Sequence, residues 1–147
     1  MIFRPARHSD LNAIVSLAVE SVSQNPLPVK IDQLAMKEMA ESLINPAHFI
    51  WVTEVDGNVV AAVAAQAGKS FWYRGLQVSV LLYYSRYPRA GLPLLREFAQ
   101  WCKGRSGVKV AVIELEPTTD PRLLKFMRRL GFTRESANLC YVRQPNV

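Results

Sequence analysis

Cysteine is almost missing from this sequence. Cys102 and Cys140 stand alone among 147 residues, and neither has a second cysteine or a histidine at ligand spacing, so a disulfide framework and a locally spaced metal site are both excluded. Such sparing use points to a reducing compartment. The two histidines, His8 and His48, lie far apart in the chain and read as hydrogen-bonded or solvent-facing side chains, so no metal is expected. Long apolar runs are missing too: no stretch approaches the roughly 18 uninterrupted apolar residues of a membrane span. Met1-Ile2-Phe3-Arg4 lacks the apolar core, about 7–15 residues long, of a signal peptide. The expectation is a soluble, cytoplasmic protein without membrane contact. Nor is there a run of five basic residues; the densest cluster, Lys125 with Arg128 and Arg129, has helical spacing and reads as a solvated helix face rather than a nucleic-acid surface.

What is there suffices for one compact domain over residues 1–147, without internal repeats. Half of the residues are hydrophobic, enough for a sizeable core. The formal charge of +6 favours acidic partners such as a phosphorylated cofactor or an acidic protein surface.

The chain begins with a short strand, Ile2 to Arg4. Ser9-Asp10 then offers capping oxygens to a helix whose apolar positions, from Leu11 through Ile14, Val15, Ala18 and Val19 to Val22, follow helical spacing. Asn25-Pro26-Leu27-Pro28 breaks it. A second helix from about Asp32 to Ile44 carries Leu34, Ala35, Met39 and Leu43 on one face. His48 to Val55 and Val59 to Gln66 are strand-like runs joined by Asp56-Gly57, a two-residue hairpin signal. Gly68 to Gly75 is a link whose Phe71-Trp72-Tyr73 either packs on the core or lines a groove; the large apolar area of three aromatics favours packing.

The strand Leu76 to Tyr84 runs through Ser85-Arg86-Tyr87-Pro88-Arg89-Ala90-Gly91 into a new periodicity, Leu94, Leu95, Phe98, Ala99, Trp101 and Cys102, which predicts a helix from about Leu92 to Cys102. A helix start carries roughly half a positive charge and free N–H groups. Flanked by Arg86 and Arg89 it suits an anion such as a phosphate, although a plain connection with solvated arginines reads equally from the turn alone. Val108 to Leu115 is a nearly continuous apolar strand of the kind buried on both faces. Strand, helix, strand implies a parallel pair. Asp120-Pro121 opens a helix with Leu123, Phe126, Met127 and Leu130 inward and Gly131 as its stop. Phe132 to Arg134 and Leu139 to Arg143 are read as two closing strands.

This order resembles that of the GNAT superfamily of acyl-CoA-dependent N-acyltransferases over nearly the whole chain. Arg86-Tyr87-Pro88-Arg89-Ala90-Gly91 followed by Leu94-Leu95 is similar to the family's pyrophosphate loop, and Asp120 to Phe132 to its Asn-initiated helix ending in Gly-Phe. Arg89 replaces the first loop glycine, Pro88 and Pro93 remove backbone donors, Asp120 stands for Asn, and Met127 stands where many members have the tyrosine that protonates the departing thiolate.

The resemblance implies an α/β (α+β) fold, a mixed and mostly antiparallel sheet with a central, splayed parallel strand pair flanked by helices. It implies an N-acetyltransferase that moves an acetyl group from acetyl-CoA to an amine of a small molecule or protein; a homodimer is compatible with it. The alternative is a protein of this fold, catalytically weak or inactive, that acts through protein contact. By the same resemblance, main chain at Leu81, Leu82 and Tyr83 would hold the thioester and pantetheine, and Arg86, Tyr87, Arg89, Ala90, Gly91 and Leu92, with Asp120, would hold the rest of CoA. For the base, Glu116 is preferred to Glu114; for the acid, Tyr84 is offered beside Tyr83 and Tyr141. Cys140 is a poor nucleophile, because an apolar strand raises a thiol's pKa.

Overall fold

The computed structural model describes residues 1–26 and 28–143. Its strands are β1 (Ile2–Pro5), β2 (Phe49–Val55), β3 (Asn58–Lys69), β4 (Leu76–Ser85) and β5 (Val108–Val112), and its helices are α1 (Leu11–Gln24), α2 (Gln33–Ser42), α3 (Pro88–Lys103) and α4 (Pro121–Leu130). The sheet order is β1-β2-β3-β4-β5, antiparallel except for the parallel pair β4–β5.

The sheet is covered on both faces, and β3 shows why. Ala61 to Ala65 are all buried, which a strand achieves only when each face has a helical layer over it. Alternation then sorts them: Ala61, Val63 and Ala65 join Phe49, Val78, Leu94, Leu95, Phe98 and Met127 on the α3–α4 side. Ala62 and Ala64 join Leu11, Ile14, Leu17, Ala40, Leu43, Ile50 and Val52 on the α1–α2 side. The alanines let both helical layers approach closely. The α3 side is the aromatic one, with Phe49 at 5.3 Å from Phe98 and 5.7 Å from Trp101 between ring centroids. Thr53, fully buried, donates its hydroxyl to the Ala90 carbonyl and so leaves no polar atom stranded.

Several sequence expectations shift. The buried side of α2 is Ala40 with the following Leu43, whereas Leu34 is 65% and Met39 45% exposed. The face turns because α2 packs against α1, and Ala40 and Leu43 are the residues it places in the core cluster with Leu11, Ile14 and Leu17. Asp10 does not cap α1 with its side chain. A 3₁₀ turn over His8–Asp10 leads straight into the helix, and the carboxylate turns back instead to the Arg7 N–H at 2.7 Å and to both terminal nitrogens of Arg4, at 2.7 and 3.0 Å. Phe71 and Trp72 do not pack on the core but stand 88% and 83% exposed, edge to face with one another. Their link lies beyond the end of the sheet, where neither helical layer reaches.

The largest departures are C-terminal. β5 stops at Val112 instead of Leu115 and is half exposed, because it is an edge strand rather than an inner one. Residues 132–143 form no strand: Leu139, Cys140 and Tyr141 are exposed, and β5 offers an edge of only five residues on which to pair. Among the described residues no helix is long and apolar enough to cross a membrane.

The Arg4–Asp10 pair is nearly buried, with 13% and 7% of the side chains exposed. The Arg4 hydrogen bond, ahead of the Arg7 N–H, holds the Asp10 carboxyl below its ordinary 3.8. A depressed folded-state pKa gives stability that is fully present above the unfolded value and is lost as pH falls through the folded one. Asp10→Asn should therefore cost about 2–4 kcal/mol at pH 7, since it removes the short, forked partner of a nearly buried guanidinium and leaves it only the longer ion pair with Glu54 at 3.5 Å. In urea unfolding that gap should narrow at pH 3; an equal gap at both pH values would contradict the assignment.

Candidate active site

The site is built around the second half of β4. Along its whole length β4 pairs with β3, from Leu76 opposite Lys69 to Ser85 opposite Ala61. With β5 it pairs only over Leu76 to Ser79. From Val80 to Ser85, then, one edge of an interior strand has no strand partner among the described residues, and its backbone groups on that side make no ladder bonds.

The strand is also irregular where the pairing with β5 ends. Ala64 lies opposite Leu82 and Ala65 opposite Val80, so Leu81 is an extra residue, a β-bulge, and is 49% exposed. A bulge bends its strand and sharpens the local twist, and here it follows directly on the last pair with β5, Ser79 opposite Val112, where β5 itself ends. It also resets which face each side chain takes. Val78, Val80 and Tyr83 pack on the α3 side, whereas Leu82 and Tyr84 pack on the α1 side.

At the far end of this open edge α3 begins. Its first residue is Pro88, four residues earlier than the periodicity predicts, because proline's fixed φ suits the first helical position and extends the helix back through Ala90 and Gly91. Tyr87 is the extended N-cap and has no side-chain cap. The Arg86 N–H is tied to the Val60 carbonyl at 3.1 Å and the Ala90 N–H to the Tyr87 carbonyl at 3.1 Å. Ala90 and Gly91 are buried, while Tyr87 and Arg89 are exposed. Gly91 is required by proximity: a Cβ there would strike the Tyr83 hydroxyl and stand 2.7 Å from Ser85 Cβ. Thus α3 rests directly on the open half of β4. Leu92 is partly buried one residue on.

Charge at this end is unevenly used. Arg89 makes no ion pair among the described residues. Arg86 reaches across to α1, where Nη2 meets Glu20 Oε1 at 2.8 Å and Nε meets Oε2 at 3.2 Å. That fork holds the Glu20 carboxyl below its usual range and raises Arg86. The Tyr84 hydroxyl accepts from Gln24 Nε2 at 3.1 Å, one helical turn beyond Glu20. Burial, then the Glu20 charge, pushes the Tyr84 phenol up. Burial alone pushes Tyr83 up to about 12.

Sequence reasoning missed Glu20 and Gln24. Glu20 stands out in the sequence only as the one acid in α1, and nothing local marks it or Gln24 as a partner of residues 66 and 60 positions away.

Other predicted residues fall outside this cluster. Glu114 and Glu116 are not on a strand: β5 ends before them and both are exposed in the connection to α4, where the Glu116 carbonyl accepts the Thr119 N–H at 2.9 Å. Asp120 caps α4 by accepting the Arg122 N–H at 2.9 Å, and Arg122 holds its carboxyl low. Among the described residues no hydrogen bond or ion pair joins Glu116 or Asp120 to residues 86–91. Met127 is a core residue, 1% exposed. Two cavities of about 340 and 320 Å³ lie elsewhere, the first beside His48, Trp51, Trp101 and Arg105 and the second between α1 and α2. The candidate site is therefore an open strand edge rather than an enclosed hole.

No family model and no curated protein sequence matches this chain. Solved structures do match over nearly its full length. A "possible acetyltransferase" from Clostridium difficile 630 superposes with a TM-score of 0.72 at 16% identity, covering 99% of this chain and 98% of its own. Glucosamine-6-phosphate N-acetyltransferase from Arabidopsis thaliana gives 0.69 at 15%, covering 96% and 97%. An aminoglycoside acetyltransferase from an uncultured soil metagenomic sample, in complex with sisomicin, gives 0.67 at 13%, covering 99% and 96%. At such identities the likeness establishes the fold: the mixed five-stranded sheet with its parallel pair and four helices is that of GNAT-like acetyltransferases.

Proposed function

We propose that this protein is an acetyl-CoA-dependent N-acetyltransferase acting on an amine of a small molecule or protein. The observation that carries the reading is the coincidence, on one strand, of a bulge at Leu81, loss of the β5 partner after Ser79, and, at the far end, a helix start with an arginine that makes no ion pair among the described residues. An extended amide-containing chain with an anionic end fits such an edge, adding to it as a strand would.

The residues present suit that occupant. Backbone at Leu81, Leu82 and Tyr83 lies on the open stretch, Arg89 supplies a cation beside Tyr87, and Ala90 and Gly91 keep the approach of α3 free of bulk. Acetyl-CoA, when bound, supplies an acetyl group activated as a thioester. The protein's part is to hold the thioester carbonyl by a backbone N–H, to accept a proton from the acceptor amine and to give one to the departing thiolate. Glu116, exposed and one turn before α4, is the proposed base, directly or through a water. Tyr84 is the proposed acid: a phenol is protonated at neutral pH and so has a proton to give, while burial and the Glu20 charge, which raise its pKa, weaken it as a donor.

A second reading, a binding protein of the same fold, is favoured by Met127, which is buried in the core and has no proton to donate. Calorimetric titration with CoA, followed by thiol-release assays over a panel of amines, separates the two. Binding with turnover supports the enzyme, and binding without turnover the second reading.

Arg89→Ala should weaken CoA about tenfold, the loss of one exposed charge-assisted contact of about 1.4 kcal/mol. Unchanged affinity in a folded variant would remove Arg89 from the site. Glu116→Gln should lower turnover by about 10²–10⁴ with CoA affinity intact, the usual span for a general base; near-native turnover across pH would leave water as the base.

A further inference from the structure

We propose that Glu20 is a built-in competitor for the anion site: it occupies Arg86 until a phosphate displaces it, and so sets how tightly the cofactor is held. This rests on the CoA-binding reading above. The observation behind it is that Arg86, at the mouth of the open strand edge, is not presented to that mouth. Both of its forked contacts go to Glu20, on a different element and 66 residues away in sequence.

The pair is of a kind that can exchange. Its side chains are 42% and 39% exposed, so the partners can part without either charge being stranded in the core. The Arg86 main chain is anchored independently, by its N–H on the Val60 carbonyl, so the side chain can swing while the loop stays in place. A diphosphate presents more acceptor oxygens and more charge than a carboxylate to the same planar fork. Glu20 is meanwhile kept in position by α1, whose Gln24 holds Tyr84 on the same side of the sheet. Binding an anion therefore substitutes one forked contact for another rather than adding one, and the affinity is lower than the two arginines alone would give.

A double-mutant cycle read by calorimetry with CoA tests this. Glu20→Gln should tighten CoA about three- to fivefold, the upper range for releasing an exposed pair of forked geometry. Arg86→Ala should weaken it. In the Arg86→Ala background, Glu20→Gln should have no further effect. If it still tightens CoA there, Glu20 acts only through its field and the competition is overturned. If Arg86→Ala binds CoA as well as the native protein, Arg86 is not an anion ligand and the proposal fails while the Arg89 assignment stands. If the native protein does not bind CoA, the function reading falls and this falls with it. Glu20→Asp, which keeps the charge but shortens the reach of the fork, should tighten CoA as well; no change with that variant speaks against the exchange.

Discussion

An interior strand with one bare edge is tolerable only if its other edge is fully committed, and the long antiparallel ladder between β3 and β4 supplies that commitment. Unpaired backbone groups cost free energy when buried, so an open edge must face water or a ligand. Here the ladder to β3 holds β4 in the sheet as far as Ser85, while the partner on the other side stops at Ser79. Leu81, Leu82, Tyr83 and Tyr84 lie along the six-residue difference between those two limits and Arg86 to Gly91 follow at its end, whereas Glu20 stands on α1 and Glu116 in the connection before α4.

The packing on either side of the sheet protects this arrangement. On one face Gly91 and Ala90 bring the start of α3 onto β4, with the Tyr83 hydroxyl directly against Gly91, and Ala90 in the core. On the other, α1 lies across β3 and β4 and delivers Glu20 and Gln24 to Arg86 and Tyr84. The two tyrosines are neighbours in sequence yet belong to different layers, and their environments differ accordingly: one phenol is governed by burial alone, the other by burial and a nearby carboxylate.

Much of this was legible in the sequence. The period-3.6 patterns located α1, α3 and α4, and Asp120-Pro121 and Gly131 fixed the ends of α4, where Gly131 adopts φ 112°. The hairpin at Asp56-Gly57 formed as its dipeptide signals. The parallel β4–β5 pair followed from strand, helix, strand. What failed did so for tertiary reasons. Val108 to Leu115 looks doubly buried because its side chains are apolar, but burial needs a neighbour on each side and β5 has one. The Phe71-Trp72 pair looks like core for the same reason and is left beyond the reach of both helical layers. Arg86 was legible as a cation; that an acid from α1 would meet it was not, because the meeting joins residues far apart in the chain.

The bulge at Leu81 has a consequence for how this bend is encoded. Its side chain is half in solvent and no ladder position depends on it, since the pairs before and after it, Val80 with Ala65 and Leu82 with Ala64, are complete without it. What bends β4 is the presence of a residue there, not its identity. The bend is thus written in the length of the strand: side-chain replacement at 81 keeps the extra residue, whereas losing it would bring Val80 and Leu82 into a continuous ladder with β3. An insertion or deletion of one codon, rather than a substitution, is the genetic event that would make or abolish such a bulge.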